Sequence, residues 1–181
     1  MRLDLLLVAQ GLAPTRARAQ NLIREGKVCL NGKVLSKASN SLPRDAELEV
    51  TGHDHPWVSR AALKLVQGLD AFDLTVSNLT CLDVGASTGG FSQVMLARGA
   101  RKVYSVDVGH GQLAQALRDD ARVVNLEGLN AKDLSVEHIN EPIDLIVSDV
   151  SFISLEKVLP RALALCGPQA HLCVLVKPQF E

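Results

Sequence analysis

The sequence predicts an α/β fold: a doubly wound, mostly parallel Rossmann-like sheet, preceded by a small α+β module. Three observations carry that expectation. From residue 58 onward, short apolar runs alternate with segments of helical period, the pattern of repeated strand–helix crossovers. Those runs are apolar throughout, as strands covered on both faces are. Charge also divides along the chain: residues 1–44 hold 8 Lys+Arg against 2 acids, and the rest holds the other 11 against 18. A basic head on an acidic body suggests a polyanion-binding module joined to a different unit.

Composition sets the bounds. The chain has 181 residues, 47% hydrophobic and 22% charged, which suits one full domain plus a small module and excludes a disordered, collagen-like or coiled-coil chain. The longest charge-free run, Ala162 to Val176, is interrupted by Gly167, Pro168 and His171. It falls short of the ~20 apolar residues of a membrane span. Asp4 and Gln10 break the N-terminal apolar run, so no secretory leader is read there. Cys29, Cys81, Cys166 and Cys173 have no C-x-x-C spacing, and are expected to be reduced, buried residues of a cytoplasmic protein, binding no metal.

The head comes first. Leu3, Leu6 and Leu7 predict an amphipathic helix over 2–10, ended by Gly11. Thr15 can cap a second helix with Ala19, Leu22 and Ile23 inward. Arg16, Gln20 and Arg24, four apart, predict one exposed row along it. Asn31-Gly32 between Val28-Cys29-Leu30 and Lys33-Val34-Leu35 predicts a two-residue hairpin, and 46–50 a further strand. Residues 1–50 hold no Phe, Trp or Tyr, so phosphate contact with structured RNA fits better than base stacking. Residues 51–57, rich in Gly, Pro and polar side chains, read as a linker. His53 and His55 there have no third ligand nearby, and Trp57 is expected to pack at the junction.

In the body, Ser59 is placed as the cap of a helix carrying Ala61, Ala62, Leu65, Val66 and Leu69. Strands are predicted at 79–84, 102–107, 122–126, 143–149 and 172–177, and helices at 91–98, 112–118 and 155–165, the last with Pro160 inside. Function in such sheets gathers beyond the carboxyl ends of the strands. Asp83, Asp107, Asp149 and Lys177 all fall there. Gly85, Gly89 and Gly90 follow the first of these strands, where they allow a tight turn and close approach to a ligand. The next helix start offers free N–H donors. Asp107, 24 residues after Asp83, suits a ribose hydroxyl pair. An adenosine-containing cofactor follows, either a dinucleotide or S-adenosylmethionine. Ser87 stands where a dinucleotide fingerprint has its second glycine, which weighs against NAD.

Two resemblances add to this. Arg2-Leu3-Asp4, Gly11-Leu12, Arg16/Arg18, Leu22-Ile23, Gly26-Lys27-Val28 and Asn31-Gly32 with Val34 resemble the S-four RNA-binding domain. That implies structured-RNA binding by the second helix and hairpin edge, through Arg2, Arg16, Arg18, Arg24, Lys27 and Lys33. Trp57-Val58-Ser59-Arg60, Asp83 to Phe91, Asp107-Val108-Gly109, Ser148 to Leu155 and Val176 to Glu181 resemble the TlyA family, long labelled haemolysins. Its members join an S-four domain to an FtsJ-like methyltransferase domain. The domains expected are therefore 1–50, the linker 51–57, and 58–181.

The family implies methyl transfer from S-adenosylmethionine to a ribose 2′-hydroxyl of ribosomal RNA, in its best-described members a cytidine. Ribosomal RNA or ribosomal subunits are then the partner. Of a Lys-Asp-Lys-Glu tetrad, Lys64, Asp149 and Lys177 are carried over as catalytic residues. Lys177 is the expected general base. The cofactor would be held by Asp83, Gly85, Ser87, Thr88, Gly89, Gly90, Phe91, Asp107, Val108, Asn130 and Asp149, with Asn130 at the adenine. The glutamate is expected on a later strand, not at Glu181, so the chain reads as C-terminally truncated, which puts its own activity, though not its fold, in doubt. A non-catalytic RNA-binding or ribosome-assembly module, and a membrane-lytic haemolysin, stay open as alternatives, with an NAD enzyme behind them.

Overall fold

The computed structural model describes residues 1–51 and 56–181, so His53 and His55 lie outside the described residues. The chain divides into two compact units, Met1–Pro56 and Trp57–Glu181.

The first unit holds helices α1 (Leu3–Ala9) and α2 (Arg16–Arg24) and strands β1 (Val28–Leu30), β2 (Lys33–Val34) and β3 (Leu48–Val50). The strands form one antiparallel sheet in the order β2-β1-β3. Thr15 caps α2, its hydroxyl accepting from the Arg18 N–H at 3.2 Å. Asn31 and Gly32 both take positive φ, 50° and 75°, as the primed hairpin turn requires. Leu3, Leu6, Leu7, Leu22, Ile23 and Val28 close the core. The expected exposed row on α2 is interrupted: Gln20 is half-buried and bonds Asp4.

The second unit is a five-stranded, all-parallel sheet in the order β6-β5-β4-β7-β8. Its strands are β4 (Thr80–Val84), β5 (Lys102–Asp107), β6 (Val123–Glu127), β7 (Ile143–Ser148) and β8 (Cys166–Val174), and its helices α3 (Ala62–Ala71), α4 (Gly90–Ala97), α5 (Gln115–Arg118) and α6 (Leu155–Leu163). Successive strand residues serve opposite faces. Cys81, Val103, Leu145 and Val147 pack with Leu65, Leu69, Phe91 and Met95. Leu82, Val84, Val106 and Ile146 pack with Ile139, Leu155, Val158 and Leu159. Trp57 packs on the first of these cores. Because β4 pairs with both β5 and β7, the strand order reverses at β4, which opens a crevice at its carboxyl end. At the opposite edge Glu141 collects Lys102 at 2.7 Å, Arg101 at 2.6 Å and the Tyr104 hydroxyl at 2.9 Å.

Several boundaries differ from expectation for identifiable reasons. α3 starts at Ala62 without a side-chain cap, and Ser59 contributes its carbonyl to the Ala62 N–H instead. α5 starts at Gln115, not Gln112, because the Glu127 carboxylate takes the Gln112 and Leu113 N–H groups at 2.5 and 2.9 Å and holds them out of the helix. α6 starts at Leu155 with Ser154 as cap and runs through Pro160. β8 begins at Cys166, six residues earlier than read, with a register shift against β7 between Ile143 and Leu145. It ends at Val174, so Lys177 stands beyond the strand. Cys166 and Cys173 are half-buried rather than buried, and all four cysteines are free. No helix among the described residues is long and apolar enough to cross a membrane.

Candidate active site

A cleft of about 730 Å³ opens where β4, β5 and β7 end. That is within the usual range for small-molecule sites. Ten of the eleven residues expected at a cofactor line it: Asp83, Gly85, Ser87, Thr88, Gly90, Phe91, Asp107, Val108, Asn130 and Asp149. Gly89 does not. Val84, Val106, Leu129, Ala131 and Ile153 give the cleft apolar walls.

The turn after β4 explains its own glycines, and partly corrects the expectation that they make room for a ligand. Gly85 and Gly89 have φ of 84° and 92°, which other residues adopt only with strain. A Cβ on Gly85 would lie 2.7 Å from the Val150 side chain, and one on Gly89 would overlap Leu117 and Leu113. On Gly90 it would overlap the Ser59 hydroxyl. The glycines therefore let the protein pack against itself, and that packing shapes the cleft. Ser87 keeps positive φ, 49°, because its N–H is held by Asp107 at 2.7 Å.

Three carboxylates face this space in different states. Asp107 accepts the Ser87 N–H and, at 2.7 Å, the Gly109 N–H, so it fixes both loops of the cleft. Asp83 is buried and, among the described residues, accepts only from Ser92, through its N–H at 2.9 Å and its hydroxyl at 2.7 Å, with Ser105 behind at 2.7 Å. Burial pushes its carboxyl up to about 7; the Ser92 hydrogen bonds oppose this, and Asp107 and Asp149 add to it. Asp149 follows β7 directly. Its Oδ2 meets Lys64 Nζ at 3.0 Å and its Oδ1 meets Lys177 Nζ at 2.6 Å. The Oδ1 contact is an ion pair without hydrogen-bond geometry. The Lys177 ammonium is also held by the carbonyls of Val150 at 2.8 Å and Asp149 at 3.2 Å and by the Ser151 hydroxyl at 2.7 Å. Lys64 is half exposed; Lys177 is largely covered. Lys64, Asp149 and Lys177 thus converge on one carboxylate from α3, the end of β7 and the segment after β8. Glu181 is elsewhere: its carboxylate accepts the Ser154 hydroxyl and the Leu155 N–H at the start of α6.

Sequence reasoning missed or undervalued two neighbours. Glu127 is held down to about 2 by Asn125, the Leu113 and Gln112 N–H groups and Arg118, with burial working the other way. It locks the loop between β5 and α5. Phe152 lines the cleft, 90% exposed as a residue, at φ 64°, and leans on Phe180 with centroids 5.1 Å apart. Positive φ in an aromatic residue is a rare strain, and no sequence pattern announces it. Asn130 spends its side-chain oxygen on the Lys132 N–H at 3.1 Å. His110 is exposed and packs on Gly128, away from the lining.

In the first unit, Arg24 and Lys33 are exposed, and Arg18 is half-buried. Lys27 pairs with Glu25 at 3.2 Å. Arg2 and Arg16 both bind Asp4, a fully buried carboxylate that the charge count records only as one of two acids in residues 1–44.

Comparison with known proteins adds the following. Residues 57–181 match the FtsJ-like methyltransferase family and residues 1–47 the S4 domain. The chain is 48% identical over 181 residues to the 16S/23S rRNA (cytidine-2'-O)-methyltransferase TlyA of Mycobacterium tuberculosis, covering 99% of this chain and 68% of that one. It is 45% identical over 183 residues to Hemolysin A of Brachyspira hyodysenteriae, covering 100% of this chain and 75% of the relative. A solved hemolysin-labelled structure from Streptococcus thermophilus matches with a TM-score of 0.75 at 39% identity, over 100% of this chain and 67% of that one.

Proposed function

From the premise that this chain belongs to the TlyA family of FtsJ-like methyltransferases, we propose that it methylates a ribose 2′-hydroxyl of a cytidine in ribosomal RNA, with S-adenosylmethionine as donor and in the cytoplasm. The observation that carries this reading is the meeting of Lys64 and Lys177 on the two oxygens of Asp149, at the rim of the cleft.

The cleft suits an adenosine-bearing cofactor. Apolar walls from Val106, Leu129 and Ala131 suit a flat purine, and Asp107 stands at the end of β5 to meet the ribose. When bound, S-adenosylmethionine supplies an electrophilic methyl group on sulfur. The chain's own residues then position the hydroxyl and move its proton. Lys177 Nζ, in its amine form, would accept the proton of the ribose hydroxyl as that oxygen becomes the nucleophile. Asp149, Val150 and Ser151 surround that nitrogen and would hold the ammonium that results. Asp149 orients Lys177 with one oxygen and Lys64 with the other. Lys64, half exposed, keeps N–H groups for the developing alkoxide. Phe152 offers an exposed ring on which a base can stack, beside the cleft.

The test is methyl transfer from labelled S-adenosylmethionine to ribosomal RNA. Lys177→Ala is expected to lower the rate by at least ~100-fold, the usual worth of a positioned base, and to leave cofactor affinity within a few-fold. Unchanged transfer in that variant contradicts the mechanism.

A further inference from the structure

We propose that Glu181 is a positioning residue for the methyl transfer: it latches the segment that carries Lys177 onto the loop that carries Asp149 and Phe152, and so fixes where Lys177 Nζ and the Phe152 ring stand at the cleft. The proposal rests on the methyltransferase reading above and adds to it a residue outside the group of Lys64, Asp149 and Lys177.

Two stretches leave the sheet side by side. One follows β7, from Asp149 to the start of α6 at Leu155; the other follows β8, from Leu175 to Glu181. The parallel ladder between them closes with the Leu175 N–H on the Ser148 carbonyl at 2.9 Å. Past that point, among the described residues, the only backbone-to-backbone hydrogen bond of residues 176–181 is internal, from the Phe180 N–H to the Lys177 carbonyl at 2.8 Å. Side chains hold the rest, and they do so in step along both stretches. Lys177 Nζ reaches the Asp149 and Val150 carbonyls and the Ser151 hydroxyl. Phe180 packs on Phe152. Glu181 accepts the Ser154 hydroxyl at 2.9 Å and the Leu155 N–H at 3.2 and 3.3 Å, one distance to each carboxylate oxygen.

Phe152 lies in the middle of this zip, with φ of 64°. An aromatic residue keeps positive φ only where its surroundings over-determine it, and such strain gathers at working sites. Here the constraint comes from one segment. Lys177 ties down Asp149, Val150 and Ser151 on one side of Phe152, and Glu181 ties down Ser154 and Leu155 on the other. Capping α6 does not by itself require Glu181. Ser154 already caps that helix, its hydroxyl oxygen accepting the Glu156 N–H at 3.1 Å. Glu181 adds a tie across the two stretches, taking the proton of the same hydroxyl and the N–H of the helix's first residue. Between Glu181 and Lys177 lies a single 3₁₀ turn, Pro178–Phe180. Pro178 has a fixed φ, so the link is short and stiff and passes the anchor back to Lys177. Glu181 is exposed and does not line the cleft, so it acts through Lys177 and Phe152.

The experiment is steady-state methyl transfer by the full chain, with labelled S-adenosylmethionine and ribosomal RNA, beside calorimetric titration of the cofactor and a thermal melt. Glu181→Ala is expected to lower kcat about tenfold, because the base is misplaced rather than removed. Cofactor affinity should stay within about twofold of the parent. A parent-like kcat overturns the proposal, and so does a fall in kcat matched by an equal loss of cofactor affinity and a lower melt, which is what a purely structural residue gives. Because Glu181→Ala can loosen α6, Ser154→Asp is the second variant. An aspartate caps the helix as a serine does, but it sets a second carboxylate against Glu181 and breaks the tie. The same fall in kcat with an unchanged melt supports the proposal; a parent-like rate overturns it. If the parent chain transfers no methyl group, the methyltransferase reading fails, and the latch is still read from amide resonances. Shifts in Glu181→Ala that spread from Leu155 back through Phe152 to Val150 support it; shifts confined to Ser154 and Leu155 overturn it.

Discussion

Asp149 holds two ammonium groups with one carboxylate, so its loss has consequences beyond its own position. Asp149→Asn leaves Lys64 and Lys177 facing each other without a counter-charge. Methyl transfer is expected to fall by at least ~100-fold, more than cofactor affinity does, which single-turnover kinetics beside a binding titration separates. Asp83 gives a pH prediction. Its carboxyl is raised from 3.8 to about 7 in the fold, so the folded state holds a proton that the unfolded chain has released. Stability from this group is therefore highest below about pH 4 and declines as pH rises toward 7. Asp83→Asn should flatten the melting-temperature profile over that window; an unchanged slope contradicts the assignment. Asp83, Asp107, Asp149 and Lys177 were legible in the sequence, because each stands where an apolar run ends. Lys64 was not, since it meets Asp149 across 85 positions and looks like a helix-surface lysine until the fold brings the two together. Asp4 was hidden for a different reason: a charge count records an acid in a basic head as a deduction, and its burial belongs to tertiary structure.

Elements carry the next set of consequences. The turn between β4 and α4 works because Gly89 is left-handed and pressed against Leu113 and Leu117. Gly89→Ala adds backbone strain and a clash, a cost of roughly 2–4 kcal/mol. It should lower the melting temperature and weaken cofactor binding together, and a melt with a parallel titration reads both. The loop before α5 depends on Glu127, and the lower sheet edge on Glu141; both are depressed to about 2 from 4.5. Depressed carboxyls stabilise the fold above their unfolded value, so that stability is lost as pH falls from about 4.5 toward 2. Glu127→Gln should remove part of the acid sensitivity, as acid titration followed by circular dichroism would show. Strand cores were readable because a parallel strand buried on both faces is apolar from end to end. Starts were less so. α5 and β8 begin where long-range partners dictate, a carboxylate from β6 in one case and the β7 ladder in the other, and local pattern does not encode either.

At the scale of the molecule, the chain divides into a small unit with a basic start and a larger one. The basic stretch, residues 1–44 with 8 Lys+Arg against 2 acids, falls inside the unit of Met1–Pro56, and the cleft is in the unit of Trp57–Glu181. That division was visible in a simple count of residues, and the parallel sheet in the alternation of strands and helices. The chemistry at the strand ends needed more, because spacing alone allowed a dinucleotide or S-adenosylmethionine. Resemblance favoured the latter. The most direct measurement is calorimetric titration of the full chain with S-adenosylmethionine and, in parallel, with NAD. Micromolar binding of S-adenosylmethionine, with no heat from NAD, is the result this account predicts. Binding of NAD, or of neither, would contradict it.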